Sequence, residues 1–247
     1  MITSVENPRV KEVLRLRKGR ARRAAGLFVA EGPREVTRAR AAGLTLRATY
    51  YAPSLLEWDD GEQVDERVLR KMSYRAEPEG VLAVVEIPQR PIPPDATLLL
   101  VAVGIEKPGN LGAMARTADA AGADALLVGD ARSDPWNPNA IRASTGSVFT
   151  LPIVDVTADE IRELPHQRIA ATLDATTSHV DADYTQPTAI LVGAEDDGLP
   201  RAWRALADQT VAIPMNERAA ADSLNASAAA AVLLYEAVRQ RTAATAT

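Results

Sequence analysis

The stretch IPMNERAAADSLNASAAAAVLLYEA, residues 213–237, contains the pattern on which the predicted fold depends. An apolar segment stops at a proline, a polar loop follows, and a helix rich in alanine and leucine is predicted to open on Ser-Leu-Asn at 223–225. Two earlier segments share this design: GIEKPGNLGAMARTADAAG at 104–122 and ILVGAEDDGLP at 190–200. Loops that follow parallel strands meet at one edge of a sheet, so the three segments predict a ligand site at that edge.

Strand-like and helix-like segments alternate after residue 97, which predicts an α/β fold with a mostly parallel sheet and helices on both faces. The segment IPQRPIPPDAT at 87–97 contains four prolines, a composition typical of a linker. We therefore predict a smaller N-terminal α/β domain at 1–90, a proline-rich linker at 91–97 and a larger domain at 98–247. Within the first domain, VKEVLRLRKGRARRAAG at 10–26 is predicted to be helical.

Composition narrows the class of protein. The 247 residues include no cysteine, which excludes disulfides and thiol chemistry, and the two histidines lack metal-ligand spacing, so no metal is predicted. No apolar run approaches the roughly 20 residues of a membrane span, and the charged N-terminus lacks a signal core. We expect a cytoplasmic location.

Charge is distributed unevenly along the chain. The net charge is −5, yet residues 1–50 contain 12 Lys and Arg against four Asp and Glu. A basic arm on an acidic body is a pattern found in proteins that bind nucleic acids. A solvated helix face is the structural alternative for the same arginines.

Glycine spacing argues against the common nucleotide loops. A dinucleotide-binding loop would need G-x-G-x-x-G after the first strand, and Gly104, Gly109 and Gly112 do not fit that spacing. No G-x-x-x-x-G-K-[ST] segment is present either. A Rossmann-type nucleotide-dependent enzyme is therefore disfavoured.

Polar residues at the predicted strand ends are the candidate site residues. Asn110 could simply cap a helix and Arg116 lie on its solvated face, but the planar guanidinium of Arg116 also suits a phosphate. Glu195 could belong to a turn, or it could be an acid placed at a strand end for chemistry. Capping of the last helix by Asp222 or Ser223 explains one polar residue, but it does not explain Asn225, which is well placed for a ligand.

The three segments together resemble the SPOUT superfamily of S-adenosylmethionine-dependent methyltransferases, in particular its SpoU/TrmH branch of RNA ribose 2′-O-methyltransferases. The resemblance covers nearly all of 98–241 through NLGAMARTADAAG, LVGAEDDGL and IPMNERAAADSLNASAAAAVLLYE, in that order. Residues 5–90 resemble, less closely, the ribosomal-protein-like RNA-binding domain that often precedes such enzymes.

The resemblance implies a deep trefoil knot, a homodimer and S-adenosylmethionine as methyl donor. The polar site positions of the family match Asn110, Arg116, Glu195, Ser223 and Asn225. The cofactor-binding positions match Gly193, Ala194, Ile213, Met215 and Leu224. The substrate RNA, most simply ribosomal RNA, is expected to contact Arg9, Lys11, Arg15, Arg17, Arg20, Arg22 and Arg142. The loop NERAAAD at 216–222 departs from the short, glycine-containing loop of the family.

Two alternative functions are also consistent with the sequence. One is 2′-O-methylation of tRNA, and the other is a non-catalytic RNA- or ribosome-binding protein on a knotted scaffold. The longer 216–222 loop favours the second, whereas retention of all five polar site residues argues against it. Binding of the methyl donor separates the enzyme from the binding protein.

Overall fold

A computed structural model describes residues 1–216 and 218–245. The chain forms two compact units, one of Met1–Gln89 together with Asp134–Thr150 and the other of Arg90–Ser133 together with Leu151–Thr247. The boundary near residue 90 lies beside the proline-rich segment. Residues 134–150, which the sequence analysis assigned to the larger domain, pack instead with the N-terminal unit.

The elements are numbered along the whole chain. Helices occupy α1 (Pro8–Arg15), α2 (Gly19–Ala25), α3 (Pro33–Ala41), α4 (Glu66–Met72), α5 (Pro108–Ala120), α6 (Pro138–Ser144), α7 (Ala158–Arg162), α8 (Arg201–Arg204) and α9 (Ala226–Thr245). Strands occupy β1 (Leu27–Glu31), β2 (Leu46–Tyr51), β3 (Glu62–Gln63), β4 (Val81–Glu86), β5 (Leu98–Val103), β6 (Ala125–Gly129), β7 (Ile153–Val156), β8 (Gln167–Ala171), β9 (Thr188–Val192) and β10 (Gln209–Val211).

The N-terminal unit is built on a four-stranded sheet in the order β1-β4-β2-β3. Strand β4 pairs antiparallel with both β1 and β2, and the short β3 pairs parallel with β2. Apolar residues of α1 and α4, such as Val13 and Leu69, pack in one cluster with strand residues such as Val29 and Leu82. The ring of Phe28 contacts Trp136 and Phe149, so the 134–150 segment completes this unit.

The basic stretch of the N-terminus forms two helices, not the single helix predicted over 10–26. Helix α1 ends at Arg15, and α2 begins at Gly19. Arg22 reaches back from α2, and its Nη1 donates to the carbonyl oxygens of Leu16 at 2.8 Å and Arg17 at 2.9 Å. A guanidinium therefore satisfies carbonyls that the end of α1 leaves without helical partners.

Arg22 is consequently not available for RNA, which corrects one of the predicted contacts. Its side chain is 2% exposed and pairs with Asp134, with 2.7 Å between Nη2 and Oδ2. Burying a charge is costly unless it is paired and hydrogen-bonded, and Arg22 meets both conditions. The position is structural because it joins α1, α2 and the 134–150 segment within one unit.

The second unit contains a six-stranded, wholly parallel sheet in the order β10-β8-β9-β5-β6-β7. This confirms the predicted α/β fold with a parallel sheet. Every residue of β5 and β9 is buried, as expected of central strands covered on both faces. Ile161 and Trp203 pack on the face that includes Val101, whereas α5 and α9 pack on each other and contact central strands of the sheet.

The burial of Arg22 leads to a stability prediction. Arg22→Ala should lower the free energy of unfolding by about 3–5 kcal/mol, because it leaves Asp134, whose side chain is only 11% exposed, without its partner. Arg20→Ala is the matched control: Arg20 is exposed on the same helix, so its loss should cost less than about 0.5 kcal/mol. Urea unfolding of the full chain, followed by circular dichroism, measures both, and equal losses would contradict the structural role of Arg22.

Candidate active site at the sheet edge

Glu195 is the centre of a polar cluster at the edge of the parallel sheet. It follows β9, and β9 lies next to β5, so the loops after these two strands are neighbours. The Nζ of Lys107 lies 2.5 Å from Glu195 Oε2, and the Nδ2 of Asn110 donates to Glu195 Oε1 at 2.9 Å. Asn225 also donates from Nδ2 to Glu195 Oε1. Two segments far apart in the sequence, one at the start of α5 and one at the start of α9, therefore converge on one carboxylate.

Asn225 caps α9, which corrects the prediction that Asp222 or Ser223 caps this helix. The helix begins at Ala226, and Oδ1 of Asn225 accepts hydrogen bonds from Ser227 N at 3.0 Å and Ser227 Oγ at 2.6 Å. An asparagine before the first helical residue satisfies a backbone donor in this way. The opposite end of the amide faces the cluster, where Nδ2 also donates to Asn110 Oδ1 at 3.2 Å.

Electrostatics keep Glu195 ionised. The hydrogen bond from Lys107 is the main cause that holds the pKa of Glu195 below its ordinary value, and Asn110, the charge of Lys107 and the backbone of Ala226 add to it. The carboxylate in turn raises the pKa of Lys107. Glu195 therefore acts as a hydrogen-bond acceptor at neutral pH.

Lys107 is a site residue that the sequence analysis did not identify. It precedes α5 in the loop after β5, three positions before Asn110. The signal that could have found it is a cation at a strand end opposite an acid at the neighbouring strand end. Recognising that signal requires the strand order, and periodicity does not supply it.

A cavity of about 290 Å³ lies beside the cluster, also within the second unit. This is near the lower end of the range for small-molecule sites, roughly 300–1,000 Å³. Its walls come from the ends of β8, β9 and β10 and from the start of α9. All five predicted cofactor-binding residues line it, together with Ser223 and Glu195: Gly193, Ala194, Ile213, Met215 and Leu224.

The chemistry of the cavity fits a ligand that has both apolar and polar parts. Apolar side chains such as those of Ile213 and Leu224 form much of the wall. Within residues 1–216 and 218–245, the backbone amides of Ile213, Met215 and Leu224 donate no hydrogen bond to the chain. Backbone donors left at strand ends and loops are suited to fixing the orientation of a bound molecule. Part of the 216–222 loop, Glu217, lies outside the described residues.

Gly193 is required by the close approach of the chain's own backbone. A Cβ atom at this position would lie 2.2 Å from the backbone carbon of Gly198. The loop folds back here, and Gly198 N donates to Ala194 O at 3.0 Å. A larger residue at 193 would therefore displace the loop that forms the cavity wall.

Arg116 and Ser223 are not part of the hydrogen-bonded cluster. Arg116 is exposed on α5, six residues after Asn110, which corresponds to about 600° of helix rotation and a different face. Among the described residues its side chain has no hydrogen-bond or ion-pair partner. Ser223 lines the cavity from the segment before α9. No group of acidic and histidine residues suited to a metal ion occurs in the described part of the chain.

Comparison with known proteins assigns the chain to a family. The profile of the SpoU rRNA methylase family matches residues 97–235, and that of the MRM3-like substrate binding domain matches residues 7–83. The chain belongs to the SpoU rRNA methylase family.

Relatives and solved structures match along most of the chain. A 23S rRNA (uridine(2479)-2′-O)-methyltransferase of Streptomyces viridochromogenes is 38% identical over 88% of this chain and 84% of its own length. The crystal structure of the SpoU methyltransferase AviRb from Streptomyces viridochromogenes, in complex with AdoMet, has a TM-score of 0.84 at 34% identity and covers 96% of this chain and 99% of its own. An AdoMet-bound rRNA methyltransferase from Sinorhizobium meliloti has a TM-score of 0.85 at 31% identity, with coverage of 96% and 97%.

The Lys107–Glu195 pair leads to a prediction on pH. Lys107→Met should raise the pKa of Glu195 towards its ordinary value of 4.5, because the strongest cause of the lowering is removed. A carboxyl group with a lowered folded pKa contributes stability above its unfolded pKa and loses it as the pH falls through the folded value. In Lys107→Met this contribution should be smaller at neutral pH.

Nuclear magnetic resonance titration of the glutamate carboxyl carbons measures this shift, with Glu195→Gln identifying the resonance. Lys107→Arg is the matched control, since it keeps a cation at the position. An unchanged titration in Lys107→Met would mean that the side chain of Asn110 and the backbone of Ala226 hold the pKa of Glu195 down without the lysine.

Proposed function

We propose that this protein transfers a methyl group from S-adenosylmethionine to the 2′-oxygen of a ribose in ribosomal RNA. The observation that carries the proposal is the cavity at the strand ends, which adjoins the Glu195 cluster in a chain of the SpoU family. Relatives named as 23S rRNA 2′-O-methyltransferases support the reaction and the class of RNA. Solved relatives that contain AdoMet support the donor.

The donor would occupy the cavity lined by Gly193, Ala194, Ile213, Met215 and Leu224. When bound, S-adenosylmethionine supplies an electrophilic methyl group on a positively charged sulfur. The backbone amides of Ile213, Met215 and Leu224 would hold the polar parts of the donor, and the apolar side chains would exclude water. Ser223 lines the same cavity and would help to set the position of the reacting groups.

Glu195, Asn110 and Asn225 would act by alignment. Their side chains bond to one another, so their rotamers are restricted before the substrate arrives. Alignment of reacting groups can account for a large part of an enzymatic rate enhancement. The ionised Glu195 serves as the fixed acceptor on which both amides are oriented.

Arg116 would bind the phosphate next to the target ribose. Its guanidinium stays protonated in proteins, so it is unsuited to remove the hydroxyl proton. A phosphate oxygen or a water molecule would accept that proton when the oxygen attacks the methyl group. The exposure of Arg116 and its lack of a partner among the described residues suit it for an external anion.

The N-terminal unit would bind the substrate RNA, in keeping with its match to a substrate binding domain. Arg15 and Arg20 are exposed, and their side chains have no partner in the described part of the chain. Arg9 and Lys11 pair with the acidic Glu62 and Glu6 on the surface, an arrangement that RNA phosphates can replace at low cost. Arg17 donates to carbonyls at the end of α4 and is the least available of these residues.

Three further features are proposed from membership of the family. The cavity loops would form the deep trefoil knot, and two copies of the chain would form a homodimer that brings Arg116 to a completed site. The exposure of Tyr235 on α9, 51%, is compatible with a contact between copies. A ribosomal RNA substrate supports the proposal of a cytoplasmic location.

A non-catalytic RNA-binding protein is the alternative function that the longer 216–222 loop favours. It predicts RNA binding without methyl transfer. Mapping 2′-O-methyl groups across ribosomal and transfer RNA, with and without this protein, tests the reaction and separates ribosomal RNA from tRNA as the substrate.

Filling part of the cavity should weaken donor binding. Ala229 lines the cavity from α9, so Ala229→Leu should weaken S-adenosylmethionine binding about tenfold or more, equivalent to about 1.4 kcal/mol. Ala228→Leu is the matched control because Ala228 is exposed on the same helical turn. Isothermal titration calorimetry measures the affinity, and light scattering confirms that both variants keep the wild-type mass. Equal affinities in the two variants would place the donor elsewhere.

Arg116 should matter for the reaction and not for stability. Arg116→Ala should lower methyl transfer about 100-fold or more, the loss found when a positioned charge-stabilising donor is removed. Its thermal midpoint should stay close to wild type, since exposed substitutions cost less than about 0.5 kcal/mol. Arg201→Ala, an exposed arginine on α8, is the control. Normal methyl transfer by Arg116→Ala would mean that Arg116 is a solvated residue of α5 without a role in the reaction.

A further inference from the structure

Tyr74 presents an aromatic ring to solvent from the N-terminal unit. The residue follows α4 and is 45% exposed, although most large aromatic side chains of this unit are buried or half-buried. Exposed rings with adjacent cations are the surfaces on which single-stranded nucleic acids stack their bases.

The backbone beneath the ring is fixed by a buried carboxylate. Glu31, at the end of β1 and 7% exposed, accepts hydrogen bonds from Ser73 Oγ at 3.0 Å, Tyr74 N at 2.5 Å and Arg75 N at 3.2 Å. Arg17 also donates to the carbonyl of Ser73. A buried carboxylate requires such partners, and here all three come from the segment that carries Tyr74.

The hydroxyl end of the ring is also contacted. The Nδ2 of Asn139, on α6, lies 3.4 Å from the hydroxyl oxygen of Tyr74, and Asn139 Oδ1 accepts from Arg142 Nη2 at 2.9 Å. Tyr74, Asn139 and Arg142 border one small crevice of about 10 Å³, which Arg75, Glu31 and Glu35 also line. The ring of Tyr74, the amide of Asn139 and the exposed guanidinium of Arg142 therefore lie side by side, whereas Arg75 is paired with Glu35 and Glu79.

We infer that Tyr74, Asn139 and Arg142 form a binding site for an unpaired base of the substrate RNA. The base stacks on the ring of Tyr74, the amide of Asn139 contacts the edge of the base, and Arg142 contacts the adjoining phosphate. Because the ring of Tyr74 is already held in place, it loses little conformational freedom when a base stacks on it. This lowers the entropic cost of binding the base. The inference rests on the proposed function for its partner, RNA, and adds that this partner is single-stranded at the point of contact.

The test compares a labelled single-stranded oligoribonucleotide of mixed sequence with a duplex of the same sequence, using the full-length protein without donor. Tyr74→Ala should weaken single-strand binding about 5- to 100-fold, the range for the loss of one stacked base, and leave duplex binding unchanged. Tyr74→Phe keeps the ring and should stay within about twofold of wild type. Tyr74→Leu keeps apolar bulk without a ring and should resemble Tyr74→Ala.

Salt dependence distinguishes stacking from phosphate contact. Tyr74→Ala should leave the dependence of affinity on salt unchanged, whereas Arg142→Ala should lower its slope by about 0.7, the value for one phosphate contact on a single strand. Leu55→Ala removes an exposed apolar side chain from the same unit, 37% exposed, and is the control. Thermal midpoints show that each variant remains folded.

The outcomes separate this inference from the proposed function. Equal single-strand affinity of Tyr74→Ala and wild type would overturn the base site while leaving methyl transfer by the wild type intact. A change in molecular mass of Tyr74→Ala with unaltered RNA affinity would also overturn it, because the ring would then serve a protein contact. A wild-type protein that binds neither RNA probe would overturn the RNA partner itself.

Discussion

The ionised carboxylate of Glu195 is the constraint on which the geometry of the candidate site depends. It accepts from Lys107, Asn110 and Asn225, which belong to the start of α5 and the start of α9. Asn225 also caps α9, and the first residues of that helix line the cavity. The position of the cavity wall is therefore tied to the polar cluster. Protonation of Glu195 would weaken both together, because a neutral carboxyl is a poorer acceptor for three donors.

The same physical rule organises the N-terminal unit. Arg22 and Glu31 are buried charges, and each is satisfied by groups that are distant in sequence. Arg22 bonds to Asp134 across 112 residues, which fixes the 134–150 segment in a unit otherwise formed by the first 89 residues. Glu31 fixes the turn that carries Tyr74. A fold that left Arg22 or Glu31 without its partners would be less stable by several kcal/mol, on the order of the cost of an unpaired buried charge. These contacts therefore fix how the segments of the unit pack together.

Much of the second unit could be predicted from the sequence, because its central strands are continuous apolar runs and its loops carry the polar residues. Long-range pairing could not be predicted. The break between α1 and α2 follows from the reach of Arg22 to the carbonyls of Leu16 and Arg17, which no periodicity reveals. The role of Asn225 as a cap depended on a helix boundary, and boundaries are poorly determined by sequence patterns. Identifying Lys107 as a site residue required the knowledge that β5 and β9 are adjacent.

Polar residues of this chain differ in how fully their bonding capacity is used within the protein, and that difference bears on their function. Asn110 and Asn225 are bonded to each other and to Glu195, so turning either towards RNA would break existing hydrogen bonds. Arg116 and Arg15 have no side-chain partner in the described residues, so an RNA phosphate can bind them without that cost. Replacing a hydrogen bond within the protein by a poorer one to RNA costs on the order of 1 kcal/mol. Asn110 and Asn225 are therefore suited to aligning the reacting groups, and Arg116 and Arg15 to binding the substrate RNA.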